Sequence, residues 1–424
     1  MAKKEIFKLI IKEFHEKDIP KIVERELSIP ETNKIVSIIG SRRVGKTFYF
    51  YQIMRKLNVS KDKILYINFE DDRILPLELK DMDSLLEAYY ELYPNNKKSK
   101  VYLFFDEIQN IDKWEIYIRR IYDNENVKIF VTGSSSKLLS KEIATSLRGR
   151  TLAFELYPLS FKEFLQFNNQ KIGKDIFYSK QRFVLSELFE KYLNFGGFPE
   201  IAIEKNNLQY QILDNYFEVM IYKDIVERFS VRNIKFLKEL SKYILTNIGK
   251  KFSINSYYNT VKQNASTSKS ALLKYLSYLE EANMIMLISF FSYSLKVQNV
   301  NPKKAYCIDT GLRNSVSFKF SKDEGQLAEN IVFLELKRRD KEIFYWEEKN
   351  EVDFIIKDKS EKLTAINVTY TNEIDEREIK SLLDFRKKYE KCIELIIITK
   401  DVEKEENGIK YIPIIKWLLL NWNS

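Results

Sequence analysis

The segment from Ile35 to Thr47 constrains the fold of this chain more than any other stretch. It opens with five residues, Ile-Val-Ser-Ile-Ile, a short apolar run typical of a buried parallel strand. A loop with the pattern G-x-x-x-x-G-K-T follows, and its residues are Gly40, Ser41, Arg42, Arg43, Val44, Gly45, Lys46 and Thr47. A helix is predicted to begin at Phe48 and to run to Leu57. This order of strand, loop and helix is typical of a loop that holds phosphate groups.

The spacing of this loop follows from the chemistry of a triphosphate. Glycines let the backbone curl so that its N–H groups point at phosphate oxygens, and the helix presents its positive end to the anion. Lys46 then reaches the β- and γ-phosphates, and Thr47 ligates Mg²⁺. The alternative is a glycine turn that matches the pattern by accident, and the flanking strand and helix argue against it. We therefore predict that residues 40–48 bind ATP with Mg²⁺.

A second motif lies downstream, where the apolar run of residues 101–105 ends in Asp106 and Glu107. Taken alone, this pattern is commonly a strand that leads into an acidic turn. After a phosphate loop, the same pattern predicts that Asp106 holds Mg²⁺ and that Glu107 orients and polarises the water that attacks the γ-phosphate. The pair of motifs therefore predicts ATP hydrolysis to ADP and phosphate.

A hydroxyl group that senses the γ-phosphate is expected at the end of the next strand, which begins at Val127. Ser134 is the first candidate and Thr132 the second. The alternative for this segment is a strand that runs into a glycine–serine turn.

Two arginines beyond that strand, Arg148 and Arg150, are candidates to neutralise the charge that develops on the γ-phosphate, in their own subunit or in a neighbour. The alternative is that they contact solvent or a carboxylate. Whether such an arginine acts within one subunit cannot be read from spacing alone.

Strand and helix patterns alternate up to residue 156, which predicts an α/β core with a parallel sheet and the phosphate loop at the carboxyl ends of its strands. Residues 1–33 read as a helical lead-in to this core. A chain of 424 residues is too long for one hydrophobic core, so further domains are expected.

The chain resembles the archaeal and bacterial AAA+-type ATPases through several motifs. These are the phosphate loop, Tyr66-Ile-Asn-Phe-Glu-Asp71, Phe105-Asp-Glu-Ile-Gln-Asn110 with Trp114, Thr132-Gly-Ser-Ser135, Arg148-Gly-Arg150 and Tyr157-Pro-Leu-Ser-Phe-Lys-Glu-Phe164. The resemblance extends over nearly the whole chain and implies ATP binding and hydrolysis. It also implies that a helical lid, here residues 157–218, follows the core. It does not imply a known substrate.

Residues 219–310 show three helices followed by a β-hairpin, the order of a winged helix. The helix from Lys269 to Asn283 occupies the position that enters the DNA major groove in such modules. Its exposed face would carry Lys269, Ser270, Lys274 and Ser277, and the lysines expected to meet phosphates are Lys262, Lys296, Lys303 and Lys304. Winged helices also serve as structural or protein-binding modules, so binding of double-stranded DNA and binding of a protein partner both stay open.

Residues 311–424 have an α-β-β-β-α-β order that resembles the restriction-endonuclease-like core. Active members of that class hold Mg²⁺ with a helix Glu, a strand Asp and a Glu-x-Lys motif. Glu329 and Asp353 match the first two positions, whereas the third reads Asn367-Val-Thr369, with Glu351 as a substitute ligand. We therefore predict a nuclease-like domain without cleavage activity.

Composition narrows the function classes further. Lys and Arg exceed Asp and Glu by 70 − 61 = 9, which permits contact with nucleic acid without establishing it. The two cysteines lie far apart, so a zinc site or disulfide framework is not expected. The single histidine, His15, is expected to be solvated. The charged N-terminus and the absence of a long apolar stretch predict a cytoplasmic protein without a membrane span.

The leading functional hypothesis is an ATPase whose nucleotide cycle moves a DNA-binding downstream half, with a homo-oligomer as a possible assembly. A second hypothesis is a nucleotide-gated protein-interaction switch that does not touch nucleic acid. A third, an ATP-dependent nuclease, is disfavoured by Asn367 and Thr369.

Overall fold

The chain divides into two compact units, residues 1–156 and 157–424. The structure is a computed structural model that describes residues 3–133, 147–171, 173, 177, 181–262, 268–317 and 323–420. The boundary coincides with the end of the ATPase core expected from sequence. The boundaries expected at residues 218 and 310 do not separate compact units, since residues 157–424 form one unit.

The first unit is an α/β layer built on one parallel sheet. Its elements are α1 (Lys3–Glu16), β1 (Ile35–Ile39), α2 (Lys46–Leu57), β2 (Ile64–Asn68), α3 (Met82–Leu92), β3 (Val101–Asp106), α4 (Trp114–Asn124), β4 (Val127–Gly133) and β5 (Thr151–Glu155). The sheet order is β2-β3-β4-β1-β5, and every pairing is parallel. The predicted α/β class with a parallel sheet is therefore confirmed. The sheet places β4 between the strands that carry the two predicted motifs.

The hydrophobic core of the first unit explains the strand sequences. All five residues of β1 are buried, as expected for a strand in the interior of a parallel sheet. Helix α1 buries Phe7 and Ile11 in the same core. Its His15 is half-buried, with ring nitrogens 2.6 Å from the Tyr93 hydroxyl and 2.8 Å from the Ile64 carbonyl oxygen. The expectation that His15 is solvated is therefore wrong, because its ring docks the lead-in helix onto the sheet.

The second unit begins with a mainly helical region. Its elements are α5 (Phe161–Phe167), α6 (Gln181–Phe195), α7 (Pro199–Ile203), α8 (Gln209–Val219), a π-helix (Met220–Glu227), α9 (Ile234–Thr246), β6 (Lys251–Phe252), α10 (Ile254–Val261), α11 (Lys269–Glu281), β7 (Ile285–Phe290), α12 (Leu295–Val300), β8 (Lys303–Cys307) and α13 (Thr310–Val316). Between α6 and α7, Gly196 has φ +77°, and a Cβ there would meet Asp309 Oδ1 at 2.0 Å. The interhelix turn expected at residues 195–199 is thus a close backbone approach that requires glycine.

The unit ends with α14 (Glu324–Arg338), β9 (Glu342–Glu347), β10 (Glu351–Lys357), β11 (Leu363–Val368), α15 (Glu376–Lys388), β12 (Cys392–Thr399), β13 (Lys404–Glu406), β14 (Ile409–Pro413) and α16 (Ile414–Leu419). The predicted α-β-β-β-α-β order is present as α14 to β12. Strand β10 is antiparallel to β9 and β11, and β12 is parallel to β11.

One mixed sheet joins the two segments for which a winged helix and a nuclease-like domain were expected. Its order is β13-β14-β12-β11-β10-β9-β7-β8-β6, and β7 pairs in parallel with β9 through Ser289 and Phe344. A domain boundary at residue 310 would therefore cut a continuous sheet. Among the helices of the described residues, none has both the length and the apolar character that a membrane crossing needs.

Candidate nucleotide site

The phosphate loop connects the end of β1 to the start of α2 and adopts a backbone that only glycine tolerates at two points. Gly45, just before α2, has φ +94°. Gly40 has φ +151°, and a Cβ there would lie 2.3 Å from the Leu156 carbonyl oxygen. Any larger residue at either position would open the loop, which explains the glycine spacing.

Lys46 is buried against this loop with a side chain that is only 5% exposed. Its Nζ donates to the carbonyl oxygens of Gly40 and Ser41, each at 3.2 Å, and lies 3.7 Å from Glu107 Oε1. The Ser41 hydroxyl is buried without a hydrogen-bond partner in the described part of the chain. A backbone cradle with an ammonium group and a hydroxyl that can still accept a partner fits a triphosphate.

Asp106 is fully buried and collects three hydroxyl groups at the end of β3. Thr47 Oγ1 donates to its Oδ2 at 2.7 Å, the Tyr66 hydroxyl donates to the same oxygen at 3.1 Å, and Thr132 Oγ1 donates to Oδ1. Burial raises the pKa of Asp106, whereas the Thr132 and Thr47 hydroxyls act in the opposite direction. Thr47 and Asp106 thus offer adjacent oxygen atoms of the kind that Mg²⁺ prefers.

Glu107 follows in a left-handed backbone conformation with φ +52°. Its backbone N–H donates to Thr132 Oγ1 at 3.0 Å, and its Oε2 accepts a 2.5 Å hydrogen bond from Gln109 Nε2. Thr132, the second candidate for a sensor, therefore links both acidic residues. Ser134, the first candidate, lies outside the described residues.

Arg148 and Arg150 lie at the amino ends of the parallel strands, whereas the phosphate loop lies at the carboxyl ends. The Ile35 N–H donates to the Arg150 carbonyl at 2.8 Å, so Arg150 sits beside the first residue of β1. The loop begins after the last residue of that strand, about 13 Å further along at ~3.3 Å per residue. The Arg150 guanidinium pairs with both carboxylate oxygens of Asp123 at 2.8 and 3.0 Å. Arg150 therefore makes the carboxylate contact that was the alternative expectation, whereas the role of Arg148 stays a prediction.

Two arginines of the loop and the residue after it have other surroundings. Arg42 Nη1 lies 3.2 Å from Glu70 Oε1, and Arg43 is exposed. Phe48, on the first turn of α2, is 54% exposed and meets the Tyr51 ring edge-on at 5.8 Å. An exposed aromatic face at this position can stack on a base.

Sequence reasoning missed three residues of this site. Tyr66 and Gln109 lie within motifs that carried the family resemblance, yet no role was assigned to them. Arg25 donates from Nη1 to the Val44 carbonyl oxygen at 2.8 Å and so braces the loop from the lead-in. Tyr66 faces Asp106 because β2 pairs with β3 with Asn68 opposite Asp106. Only the pairing order reveals this contact, and no sequence signal marks Arg25.

A second group of acidic residues lies in the other unit, where the structure brings Glu329 and Asp353 together. Both contact Lys304 Nζ, at 3.1 and 3.3 Å, and Glu351 contacts the same nitrogen. Lys304 is fully buried, so the expectation that it meets DNA phosphates is wrong. Its neighbour Lys303 is exposed, as are the other residues expected to face DNA, namely Lys262, Lys269, Ser270, Lys274, Ser277 and Lys296.

The fold and the site of the first unit define a P-loop ATPase domain of the AAA class. The family profile described as "AAA domain" matches residues 32–165. Two further profiles match the second unit, a domain of unknown function (DUF8612) over residues 186–323 and a domain of unknown function (DUF4143) over residues 324–417.

Two relatives match the chain over nearly its whole length. The chain is 39% identical to the uncharacterized protein MJ1544 of Methanocaldococcus jannaschii, over 94% of this chain and 91% of that protein. It is 29% identical to an uncharacterized protein of Haemophilus influenzae, over 94% of this chain and 97% of that protein. The chain therefore belongs to the family of MJ1544. Among solved structures, it is similar to the Walker-type ATPase PABY2304 of Pyrococcus abyssi, with TM-score 0.42 and 16% identity over 74% of this chain and 95% of that chain.

Proposed function

We propose that the first unit binds ATP with Mg²⁺ and hydrolyses it to ADP and phosphate. The observation that carries this proposal is the hydrogen bond of 2.7 Å between Thr47 Oγ1 and Asp106 Oδ2, which joins two motifs 59 residues apart in the chain. The contact brings a hydroxyl at the first turn of α2 next to a buried carboxylate at the end of β3, so both oxygens can reach one cation. This arrangement supports a shared Mg²⁺ ion as the proposed ligand of the two residues.

Each residue then has one task. The backbone N–H groups of residues 40–47 and the Lys46 ammonium hold the phosphates, and Thr47 and Asp106 hold Mg²⁺, which supplies charge stabilisation at the phosphate oxygens when bound. Glu107 accepts a proton from the water that attacks the γ-phosphorus, and the bond to the ADP oxygen breaks. Thr132 positions both acidic residues and replaces Ser134 as our preferred sensor.

An arginine from a neighbouring subunit remains part of this proposal. Arg148 is exposed with a left-handed backbone, whereas Arg150 is held by Asp123. Arg148 is thus the better candidate to reach the site of a second copy. A mass measurement with and without ATP tests this assembly, and an Arg148→Ala variant that assembles but loses turnover supports it. Full turnover by the strict monomer contradicts it.

We propose that residues 234–307 form a winged helix that contacts double-stranded DNA. In support, the elements run in the order α9-β6-α10-α11-β7-α12-β8, and the strands pair antiparallel in the order β6-β8-β7. Helix α11 buries Leu272, Leu276 and Leu279 and leaves both of its lysines in solvent. Those lysines match the electrostatic footprint that duplex binding needs.

Duplex affinity as a function of salt tests this assignment. The double variant Lys269→Glu/Lys274→Glu is expected to weaken binding at least about tenfold and to reduce the salt slope by about two, because each lysine neutralises one phosphate. Lys242→Glu, which changes an exposed lysine on α9, serves as the control. Unchanged affinity in the double variant contradicts the groove assignment. DNA stimulation of the ATPase rate at low salt would link the two units.

A protein partner is the second candidate, and one observation favours it. The connection between β7 and β8 carries apolar side chains in solvent, with Tyr293 60%, Leu295 72% and Val300 73% exposed. Such a surface is typical of protein contacts. Two results together would support this candidate over the first. The ATPase rate would not change when duplex DNA is added, and Leu295→Asp would abolish the cellular role of the protein.

We also propose that residues 324–399 form a restriction-endonuclease-like domain that does not cleave DNA. Support comes from the α14-β9-β10-β11-α15-β12 order and from the contacts of Asn367, which stands where a Glu is expected. Its Nδ2 donates to Glu378 Oε2 at 2.7 Å, and its Oδ1 accepts from the Asp353 N–H at 3.1 Å. Mg²⁺-dependent cleavage by the purified protein that Asp353→Ala abolishes would contradict this proposal.

A further inference from the structure

The acidic group of the second unit surrounds a side chain that sequence reasoning placed elsewhere. Lys304 lies on β8, whereas Glu329 lies on α14 and Glu351 and Asp353 lie on β10. Its Nζ contacts all three carboxylates, at 3.1 Å to Glu329, at 3.3 Å to Asp353 and at hydrogen-bond distance to Glu351. One ammonium group thus occupies the point on which three carboxylates from two elements converge.

The lysine is fixed in this position by the sheet. Lys304 pairs with Ile288 of β7 on one side and with Lys251 of β6 on the other, so its backbone cannot move without breaking two strand pairings. Its side chain is 1% exposed. The side chain of the neighbouring Lys303 points to the opposite face of the sheet and is exposed. The burial of Lys304 is therefore a property of that single position.

Electrostatics show that the carboxylates hold a cation. Burial lowers the pKa of Lys304, but the neighbouring Glu329, Asp353 and Glu351 outweigh it and hold the pKa well above the ordinary lysine value. Burial and repulsion from Asp353 raise the pKa of Glu329 to about 8, and burial raises that of Glu351 as well. The raised pKa values of Glu329 and Glu351 show that the cluster disfavours additional negative charge, and the Lys304 ammonium offsets part of what remains.

A divalent cation would seek the same point. Mg²⁺ and Mn²⁺ prefer carboxylate oxygens, and Mg²⁺ binds at about 2.0–2.1 Å. The ammonium contacts to Glu329 and Asp353 are about 1 Å longer than that, and the Nζ lies between the oxygens of the three carboxylates. In the described residues, no group of three or more acidic, histidine or cysteine side chains is arranged to hold a metal ion. The oxygens are spaced for an ammonium ion.

We propose that Lys304 is an internal cation that takes the place of a divalent metal ion in this carboxylate cluster. The lysine neutralises the cluster, excludes metal from it and ties β8 of the helical region to α14 and β10. This inference rests on the proposed nuclease-like domain. It adds a cause for inactivity that the sequence did not contain, since the cation site is filled by the chain itself and not merely short of a ligand.

Replacing the lysine is therefore expected to create a metal site. Full-length Lys304→Met removes the charge and retains most of the volume, and Lys303→Met is the matched control on the same strand. Mn²⁺ is the probe, followed by electron paramagnetic resonance and thermal unfolding without nucleotide. We expect Lys304→Met to bind one more Mn²⁺ than the wild type and to gain several degrees of thermal stability from it. Lys303→Met is expected to match the wild type.

A second substitution locates the new ion. Lys304→Met/Asp353→Asn is expected to lose the additional Mn²⁺. The inference is overturned if folded Lys304→Met binds no additional ion, or if the wild type binds an ion that Asp353→Asn removes. Should Lys304→Met fail to fold alone, Mn²⁺ is expected to restore folding to it and to Lys304→Gln, and absence of restoration in both overturns the inference.

The two proposals fail in different ways. Wild-type protein that cleaves duplex DNA with Mg²⁺ contradicts the inactive nuclease-like domain. Wild-type protein that neither cleaves DNA nor binds Mn²⁺ in the cluster, together with a folded Lys304→Met that also binds none, contradicts only the role of Lys304.

Discussion

Lys46 and Lys304 are both buried lysines that face carboxylates, and they differ in what the ammonium contacts. Lys46 donates to two neutral carbonyl oxygens of its own loop and lies 3.7 Å from Glu107. Lys304 contacts three carboxylates directly. A phosphate oxygen makes a stronger, charge-assisted bond than a carbonyl oxygen, so it can displace the partners of Lys46. No incoming anion improves on the partners of Lys304.

The backbone around each lysine agrees with this difference. Lys46 stands at the junction of a glycine loop and a helix, where N–H groups remain available to a ligand. Lys304 stands inside a sheet with strands paired on both sides. One site is built to exchange partners, and the other is already satisfied by the chain. A buried lysine beside carboxylates therefore indicates a ligand site only when its present partners can be replaced.

The largest effect is expected at the exchangeable site. Lys46→Ala should weaken ATP binding or slow turnover by at least about 100-fold, because it removes the charge that contacts the phosphates. Lys56→Ala, at the exposed end of the same helix, is the control, since the Lys56 side chain is 59% exposed. Nucleotide titration and phosphate release measure both quantities. A Lys46→Ala protein with wild-type turnover would remove the basis of the comparison.

Glu107→Gln is expected to separate binding from chemistry. The amide cannot accept the proton of the attacking water, so turnover should fall about 100- to 1,000-fold while ATP remains bound. Asp112→Asn, which changes an exposed acid beyond the same strand, should leave both unchanged. Single-turnover hydrolysis and retention of labelled ATP provide the measurements. Normal hydrolysis by Glu107→Gln would show that another group activates the water.

A smaller effect is expected for Thr132→Val. The substitution preserves shape but removes a hydroxyl that donates to Asp106 and accepts from the Glu107 N–H, so turnover should fall about 10- to 100-fold. Thr132→Ser, which restores the hydroxyl, should recover most of the rate. Comparable loss in both variants would indicate a packing role instead of hydrogen bonding.

The smallest effect concerns how the stability contributed by the carboxylate cluster around Lys304 depends on pH. The folded-state pKa of Glu329 is raised to about 8 from the ordinary value of 4.5, so the folded protein binds a proton there that the unfolded chain releases. Stability from this group is fully present below about pH 4.5 and is lost as the pH rises through about 8. The groups that face Glu329 are Lys304 and Tyr306 from β8 and Asp353 from β10.

Glu329→Gln should therefore flatten this response. Between pH 5 and 9, we expect the unfolding temperature of the wild-type second unit to fall a few degrees more than that of the variant. Thermal scans followed by tryptophan fluorescence measure the slope with pH, which is independent of the absolute stability of each variant. An equal slope in both proteins would show that Glu329 does not titrate in this range.

Local patterns predicted much of the fold correctly. Apolar runs and the glycines that bound them predicted β1, β3 and α2 to within two residues, because the residues that form the buried strand and the glycine loop are adjacent in the sequence. The α-β-β-β-α-β order was likewise readable from apolar runs. The continuation of one sheet across residue 310 was not readable from sequence, because the pairing of β7 with β9 depends on residues 55 positions apart.

The site shows the same division. Motif spacing predicted Lys46, Thr47, Asp106 and Glu107 as site residues, and the structure brings Lys46 close to Glu107 and Thr47 close to Asp106. Thr132 was ranked second, because only the position of β4 between β1 and β3 directs its hydroxyl at Asp106. The contact of Arg150 with Asp123 could not be chosen over a phosphate contact from sequence, because only the parallel pairing of β5 with β1 places Arg150 at the amino ends of the strands.

The sequence by itself determined that this chain contains a P-loop ATPase core, since the residues that shape a phosphate loop are contiguous and their backbone needs are local. Tertiary structure decided what the charged residues face. Lys304 is 25 residues from Glu329 and 49 from Asp353, and nothing in its local pattern distinguishes it from the exposed Lys303. Charge interactions act through space, so whether a lysine meets solvent, phosphate or carboxylate is settled only when distant strands pair.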